Sequence, residues 1–520
     1  MKPLDDAEPT GDTEATNGAE VTDEAAGHLP AAKAAPLRAR SGTPRVAMLV
    51  YNDAANDSRV RKTAASLRRA GCEVRIIAVA QEQAGHGPGS QRLPEGSELV
   101  RVEEFDLAHT MPWIARTYRR MMARVRRTAA PALYPHPGSA VAPEPQHRPG
   151  QEPSEDHGGQ RHPDQQPLHL EKPGQAPKRP APTARAGSSL LRTWLGLYRS
   201  VRLGAYWMRA AADGIAWAPD VVHANDGNTL YPAMRIAHHT GAQIIYDAHE
   251  LWRHRNAPGR TIAPLVEGVI ERRAIRRAAG VITVSPNIAA WLQRTYRLPQ
   301  RPTLVRNIPA AGPVPDPANG QLRRRAGLPT HARVIAYGGR LTTDRGIEET
   351  IDALAHLPAE VHLVLLGYGD EDYVQQVRRR AEHAGLAERV HLVGAVPSRE
   401  VATALADADL AVVYVRPTCL SYTYSLPNKL FEAIHAGLPI AAASLPDTRA
   451  VISRYGVGEV FAPTATPRRM AAAITDVLDR REEYRHHSRQ AAAELTWEHE
   501  EAELIGLYRR VLEGTTCPVQ

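Results

Sequence analysis

Short apolar runs recur along the chain, and the stretches between them carry helical spacing. RVAMLVY (Arg45 to Tyr51) and the run from Val74 to Ala80 read as buried strands. Between them Val60, Ala64 and Leu67 share one helical face, and Gly71 stops the helix. A strand, a helix and a strand within roughly 35 residues predict a right-handed crossover in a parallel sheet. The pattern continues with a strand in Glu95 to Glu104, then DVVHAND (Asp220 to Asp226), AQIIYDAHE (Ala242 to Glu250) and GVITVS (Gly280 to Ser285), with Ser285 or Asn287 capping the next helix. PTLVRNIP (Pro302 to Pro309) closes this series, and Gly320 to Pro329 supplies a linker and a short helix. ARVIAYGGRL (Ala332 to Leu341) opens a second series. Ile347, Ile351 and Leu354 give its first helix, and HLVLLGYGD, RVHLVGAV and DADLAVVYV its further strands. Two helices, about 467–482 and 486–513, end the pattern, the last crossing back over the first series. Two βα series predict an α/β protein with two Rossmann-like, doubly wound parallel-sheet domains facing a cleft. The expected divisions are 44–310, 311–482 and a C-terminal helix in 483–515.

Two segments break the periodicity. Residues 1–43 are polar and acidic without a repeat, and residues 129–187 are dense in Pro, Gln, His and Gly, so both are expected to be disordered. Between the sheets' segments lie two basic amphipathic helices, 113–127 and 188–212. In the first, Ile114, Tyr118, Met121 and Val125 share a face and six arginines line the remainder of Met111 to Arg127. Such helices either pack on the domain like any surface helix or lie on an anionic membrane surface.

Composition narrows the classes. With 520 residues and 43% hydrophobic positions, two cores can be buried. Cys72, Cys419 and Cys517 show neither disulfide nor metal spacing, which fits a reducing, cytoplasmic setting. No apolar run reaches the ~18 residues of a membrane span, and the acidic N-terminus does not resemble a secretory signal. The net charge of +7 suggests anionic partners, but no recognisable nucleic-acid module interleaves the arginines with aromatics, so none is expected to bind nucleic acid. The expected anions are a phosphorylated substrate and a membrane surface.

The candidate chemistry gathers in the second series. SLPNKLFEAIHAGLP (Ser425 to Pro439) reads as a short helix after a buried strand, with Pro427 in its first turn, Asn428 able to cap and Gly437 with Pro439 ending it. A helix N-terminus there offers free N–H groups of Asn428, Lys429 and Leu430 to a phosphate. Glu432, one turn in, would repel phosphate but could accept hydrogen bonds from a sugar diol such as a ribose; it could equally be an ordinary first-turn Glu. Arg340 and Arg345 flank a loop with Gly338, Gly339 and Gly346, a spacing that lets both guanidiniums converge on phosphate oxygens. In the first series, Asp226, His249 and Glu250 stand at strand ends, where ligands sit in open α/β sheets. A strand-terminal His is also a common loop hydrogen-bonder. Asp247 is placed on the opposite strand face. The loop after the first strand has Asn52, Asp53 and Asp57 instead of GxGxxG, which disfavours a dinucleotide cofactor. Asp407 and Asp409 imitate a metal-binding DxD, but they precede a buried strand, where Asp409 caps a helix or starts the strand; no metal is expected.

The Ser425 to Pro439 stretch resembles the donor-site signature of retaining GT-B glycosyltransferases, family 4. The resemblance covers about residues 45–105 and 190–510. It implies a Glu-x7-Glu motif whose second Glu, on the ribose, is Glu432 and whose first position is Tyr424, a departure. It implies that Arg340 and Arg345, the latter in place of a usual Lys, meet the diphosphate with Lys429, that Gly394 and Val396 bracket the nucleobase beside Gly339, and that His249 touches the transferred sugar. Asn52, Asp53, Asp226 and Glu250 would then face the acceptor. The activity so implied is transfer from a UDP- or GDP-sugar to a glycan, lipid-linked or cell-envelope acceptor, with retention and without a metal or other cofactor. Fixed positive charge beside the departing diphosphate would be the main catalyst. Alternatives of the same fold are a sugar-nucleotide epimerase and a sugar-nucleotide-binding scaffold without turnover.

Overall fold

Val46 to Leu49 are all fully buried, because the strand they form (β1, Arg45–Leu49) lies mid-sheet with helices on both faces. The computed structural model describes residues 36–39, 42–55, 57–106, 182–255 and 263–514. The expected tail 1–43 lies largely, and the helix 113–127 wholly, outside the described residues; so does the insertion 129–187 apart from its last residues.

From β1 the chain runs through α1 (Ser58–Arg69) to β2 (Glu73–Val79), β3 (Gly89–Arg92) and β4 (Glu98–Val102). Helix α2 (Pro182–Trp217) leads to β5 (Val221–Asn225), β6 (Gln243–Ala248), β7 (Ala278–Thr283) and β8 (Thr303–Leu304). The strands form an eight-stranded sheet ordered β3-β4-β2-β1-β5-β6-β7-β8, parallel except for the edge strand β3. The second sheet holds β9 (Arg333–Gly338), β10 (Val361–Leu366), β11 (Val390–Leu392), β12 (Leu410–Val413), β13 (Ile440–Ala443) and β14 (Gly458–Phe461). Its order is β11-β10-β9-β12-β13-β14, all parallel. Strand order reverses between β1 and β5 in one sheet and between β9 and β12 in the other. Those reversals are where a doubly wound sheet opens a crevice at its C-terminal edge.

Several boundaries differ from expectation. The exposed β3, with no apolar alternation, left no sequence signal. The helix expected at 188–212 extends to Pro182 and Trp217. The two C-terminal helices are three, Pro467–Asp479, Arg481–Glu494 and α5 (Trp497–Leu512), since the backbone leaves helical geometry at Arg480 and again at Leu495 and Thr496. Helix Arg481–Glu494 stays with the second sheet through Ala491 and Ala492, while Trp497, Leu504 and Tyr508 of α5 join the core around Val46, Met48 and Ile76. Trp497 follows that break, and its indole donates to Ser66 Oγ at 3.0 Å.

Asp247 also departs from expectation. Its carboxylate does not face away from His249 but lies beneath it. Arg59 of α1 grips it with two hydrogen bonds, Nε to Oδ2 at 2.9 Å and Nη2 to Oδ1 at 2.7 Å, and both side chains are buried. Burial alone would raise this carboxyl, but Arg59 and then His249 hold it well below the usual range. His223, whose Nδ1 meets the Tyr508 hydroxyl at 2.8 Å, approaches the same carboxylate at 3.5 Å. His249 stands past the end of β6, so the chain has turned enough to bring its ring back over Asp247. Its Nδ1 is 3.3 Å from Asp226 and its Nε2 3.2 Å from Asp247, the second contact lying off the line of a good hydrogen bond. Burial works against the imidazolium, yet the Asp226 and Asp247 carboxylates outweigh it and raise His249 to about 10.

Two outcomes follow. Asp247→Asn leaves the Arg59 guanidinium buried without its counter-charge and lowers stability by ~3–5 kcal/mol in denaturant titration. His249 is raised in the fold, so its charge stabilises fully below about pH 6.5 and that contribution is lost as pH rises through about 10. The stability gap between the wild type and His249→Gln therefore narrows from neutral pH towards 10; a constant gap would show that the imidazolium is not held.

Candidate active site

The C-terminal edges of both sheets line one cavity of about 480 Å³. From the second sheet come Tyr337 to Arg340 after β9, Leu366 to Tyr368 after β10, Ala395 and Val396 after β11, and Tyr422 and Ser425 after β12. From the first come Ser58 at the start of α1, His249 and Glu250 after β6, and Val284 and Ile288 after β7. Volume and lining suit a substrate of nucleotide size.

The two β-strand ends approach closely. A Cβ on Gly367 would stand 1.8 Å from the Gly339 carbonyl oxygen, so only glycine fits there. Gly339 itself has φ +128° and donates its N–H to Leu366 O at 2.9 Å. Gly346, at φ +76°, precedes helix α3 (Ile347–Leu354), and a Cβ there would stand 2.3 Å from the Tyr414 side chain. These glycines let the loop between them fold inward with Arg345. Its guanidinium lies 4.9 Å from the Tyr422 ring centroid. Arg340 lines the same wall but is well exposed, and its Nη2 reaches Asp370 at 3.6 Å.

Helix α4 (Asn428–His435) supplies the opposite corner. Pro427, not Asn428, occupies its N-cap position, and no side chain caps it. The Leu430 N–H, expected to face a phosphate, bonds to Pro427 O at 3.0 Å, and the Leu430 side chain is core. Lys429 Nζ donates to Tyr414 O at 2.9 Å and lies over the Tyr337 ring. Burial first, then the Arg345 charge, pull Lys429 down to about 7, against the pull of Glu432. Burial pushes Glu432 up to about 7, although Lys62 and Lys429 draw it down. Lys62, from α1 of the other sheet, is lowered to about 8 by burial and by Arg59, with Glu432 opposing. Its Nζ donates to Ile308 O at 2.6 Å. Lys62 was not singled out in the sequence, because nothing near Val60 and Ala64 indicates a long-range carboxylate.

The remaining expectations divide. Arg340, Arg345, Lys429, Glu432, Asn428, Gly339, His249 and Glu250 share the cavity wall. Tyr424 does not. It packs towards the first sheet, and its carbonyl accepts from Ser285 Oγ at 2.8 Å. Tyr422, two residues earlier, takes the cavity position. Gly394 also stays off the wall and accepts the Gly367 N–H at 2.9 Å, leaving Ala395 and Val396 to face inward. Asn52 bonds to Asp57 and Asp53 to His86, so both stabilise their own loop while Ser58 reaches the cavity. Asp226, with φ +62°, stands behind the wall and orients His249. Glu250 is raised to about 7, mainly by burial and then by Asp226, with Arg255 at 3.5 Å opposing. Asp407 caps the Leu322 and Arg323 N–H groups, and Asp409 accepts from Val334 N at 2.7 Å and from Arg323. This pair is therefore structural. Among the described residues no cluster of acidic, His and Cys side chains has the form of a metal site.

Chemically, the second-sheet wall offers the Arg340 and Arg345 guanidiniums beside the Lys429 ammonium and the Glu432 carboxyl. The first-sheet wall offers a carboxyl and an imidazolium. Residues 319–494 match the family described as glycosyl transferases group 1, and residues 168–308 match Glycosyltransferase Family 4. A D-inositol 3-phosphate glycosyltransferase of Xylanimonas cellulosilytica is 27% identical over 245 residues, 45% of this chain. That alignment spans little more than half of the relative, 57%. Sucrose-phosphate synthase of Thermosynechococcus elongatus superposes with a TM-score of 0.61 at 16% identity, covering 91% of this chain and all of the other. Anabaena HepE, solved in complex with UDP and glucose, gives 0.54 at 13% identity over 90% of this chain and 98% of its own. Two parallel sheets with a cleft between their C-terminal edges give the chain a GT-B fold, within which residues 168–308 match Glycosyltransferase Family 4 and residues 319–494 match glycosyl transferases group 1.

Proposed function

We propose that the protein transfers a sugar from a UDP-sugar to a hydroxylated glycan or lipid-linked acceptor of the cell envelope, with retention of configuration and without a metal. The observation that carries this is the convergence of Arg345, Lys429 and Glu432 on one cavity with the glycine-lined ends of β9 and β10. Arg345 and Arg340 hold the diphosphate and stabilise the charge that grows on it as the glycosidic bond breaks. Lys429 is held near neutrality by burial and by Arg345, so an arriving diphosphate draws it back to the ammonium form. Glu432, drawn towards its ionised form by Lys62 and Lys429, accepts hydrogen bonds from the ribose hydroxyls. Ala395 and Val396 flank the base.

His249 has both ring nitrogens turned to carboxylates and is protonated, so it acts as a cation beside the sugar and not as a base. In a front-face reaction the departing phosphate oxygen takes the acceptor proton, so the wall needs no strong base. HepE, the fold relative, is described with UDP and glucose, which supports UDP in preference to GDP.

A thermal-shift series over UDP-, GDP- and ADP-sugars is expected to stabilise the protein with UDP-sugars first. Glu432→Ala then weakens donor binding about 10- to 100-fold, the worth of a hydrogen bond to a charged group. Arg345→Ala lowers kcat about 10²- to 10³-fold, as for a lost transition-state charge partner. Unchanged activity in both variants would overturn the assignment. Product anomeric configuration read by NMR should match the donor's, and transfer should persist in chelator; inversion or chelator inactivation contradicts the corresponding part of the proposal.

A further inference from the structure

The helix Ala263–Ile275 was not singled out by sequence, because apolar residues occur on both of its faces. In the fold, Glu271, Ala274 and Ile275 point into the first domain. The opposite stripe is solvent-facing: Leu265 is 68% exposed, Val266 52% and Val269 51%. Three large aliphatic side chains within five residues are a patch, not scattered surface residues. Helical geometry places Arg272 and Arg273 on the same stripe one to two turns on. Arg276 and Arg277 follow in the turn before β7, and all four arginines are exposed.

We propose that this face docks on a bilayer carrying anionic lipid, with Leu265, Val266 and Val269 entering the headgroup region and the four arginines meeting lipid phosphates. Apolar insertion beside basic side chains is the physical form of interfacial binding. Charge decides between occupants. A second copy applied through the same face about a twofold axis would bring eight arginines together, since such an interface is self-complementary. An anionic surface neutralises them. The patch is also tied to the cavity. Glu267, beside Val266, lies 3.6 Å from Arg255 Nη2, and Arg255 Nε lies 3.5 Å from Glu250 on the cavity's first-sheet wall. Docking would therefore present the acceptor side of the cleft to the membrane. That consequence rests on the transferase reading above; the docking itself does not.

Co-sedimentation with phosphatidylcholine vesicles, with and without phosphatidylglycerol, tests this on the full chain with no donor or acceptor present. Binding is expected to the anionic vesicles alone and to fall with added salt. Leu265→Ser with Val266→Ser and Val269→Ser should lower partitioning at least about tenfold. Arg272→Glu with Arg273→Glu should lower it roughly fivefold or more per arginine. Both variants should keep the wild-type melting temperature. Absence of binding, equal binding to neutral vesicles, unchanged partitioning of both variants, or a dimer in light scattering that the apolar variant dissociates would overturn the proposal. A vesicle-binding protein that transfers no sugar would refute the function and leave docking intact; an active enzyme indifferent to vesicles would do the reverse.

Discussion

The cleft depends on one electrostatic constraint: a buried carboxyl, Glu432, that feels the charges of two lysines from different sheets. Lys429 belongs to its own helix, and Lys62 comes from α1 across the gap. All three are drawn towards neutrality by burial, and each resists through the others. Such a set is poised, since a small change in local charge alters which member is ionised. An anion arriving beside Arg345 is such a change. The same groups also couple the two sheets electrostatically.

The rest of the architecture serves to hold these groups. A side chain at 346 would collide with Tyr414 and one at 367 with the Gly339 carbonyl, while Gly339 itself holds a positive φ; together these glycines bring the arginine loop over the cavity. Helix α5 crosses to the first sheet and packs Trp497 beside Lys62, whose ammonium lies 4.7 Å from the indole centroid. Tyr508 of the same helix reaches His223, and through it the Asp247 carboxylate under His249. The C-terminal helix thus buttresses both cationic corners of the site. Its apolar face is buried in the first domain and is tied further by Tyr508 to His223 and by Glu500 to Arg306, which suits an element that must stay put while substrates enter.

Lys429 and Glu432 were legible as a pair in SLPNKLFEAIHAGLP, because they share one short helix. Arg340 and Arg345 were legible because glycines surround them. Tyr424 and Gly394 were not, since motif position says which residue is near a site but not which way it turns. Tyr422 took the inward place because the four-residue helix Leu420–Thr423 aims its side chain at Arg345, while Tyr424, just past that helix, turns towards Ser285.

Periodicity and spacing by themselves determined the parallel strands of the two sheets, apart from the exposed edge strand β3, and the helix that carries Glu432, because strand burial and helical spacing are local properties written into neighbouring residues. What tertiary structure alone decided is which distant groups meet. Arg59 and Asp247 are separated by 188 positions, and Lys62 and Glu432 come from different sheets. No local pattern encodes such pairs; they exist because two crossovers and a returning helix bring the strand ends together, and the energetics of burial then fix their charges.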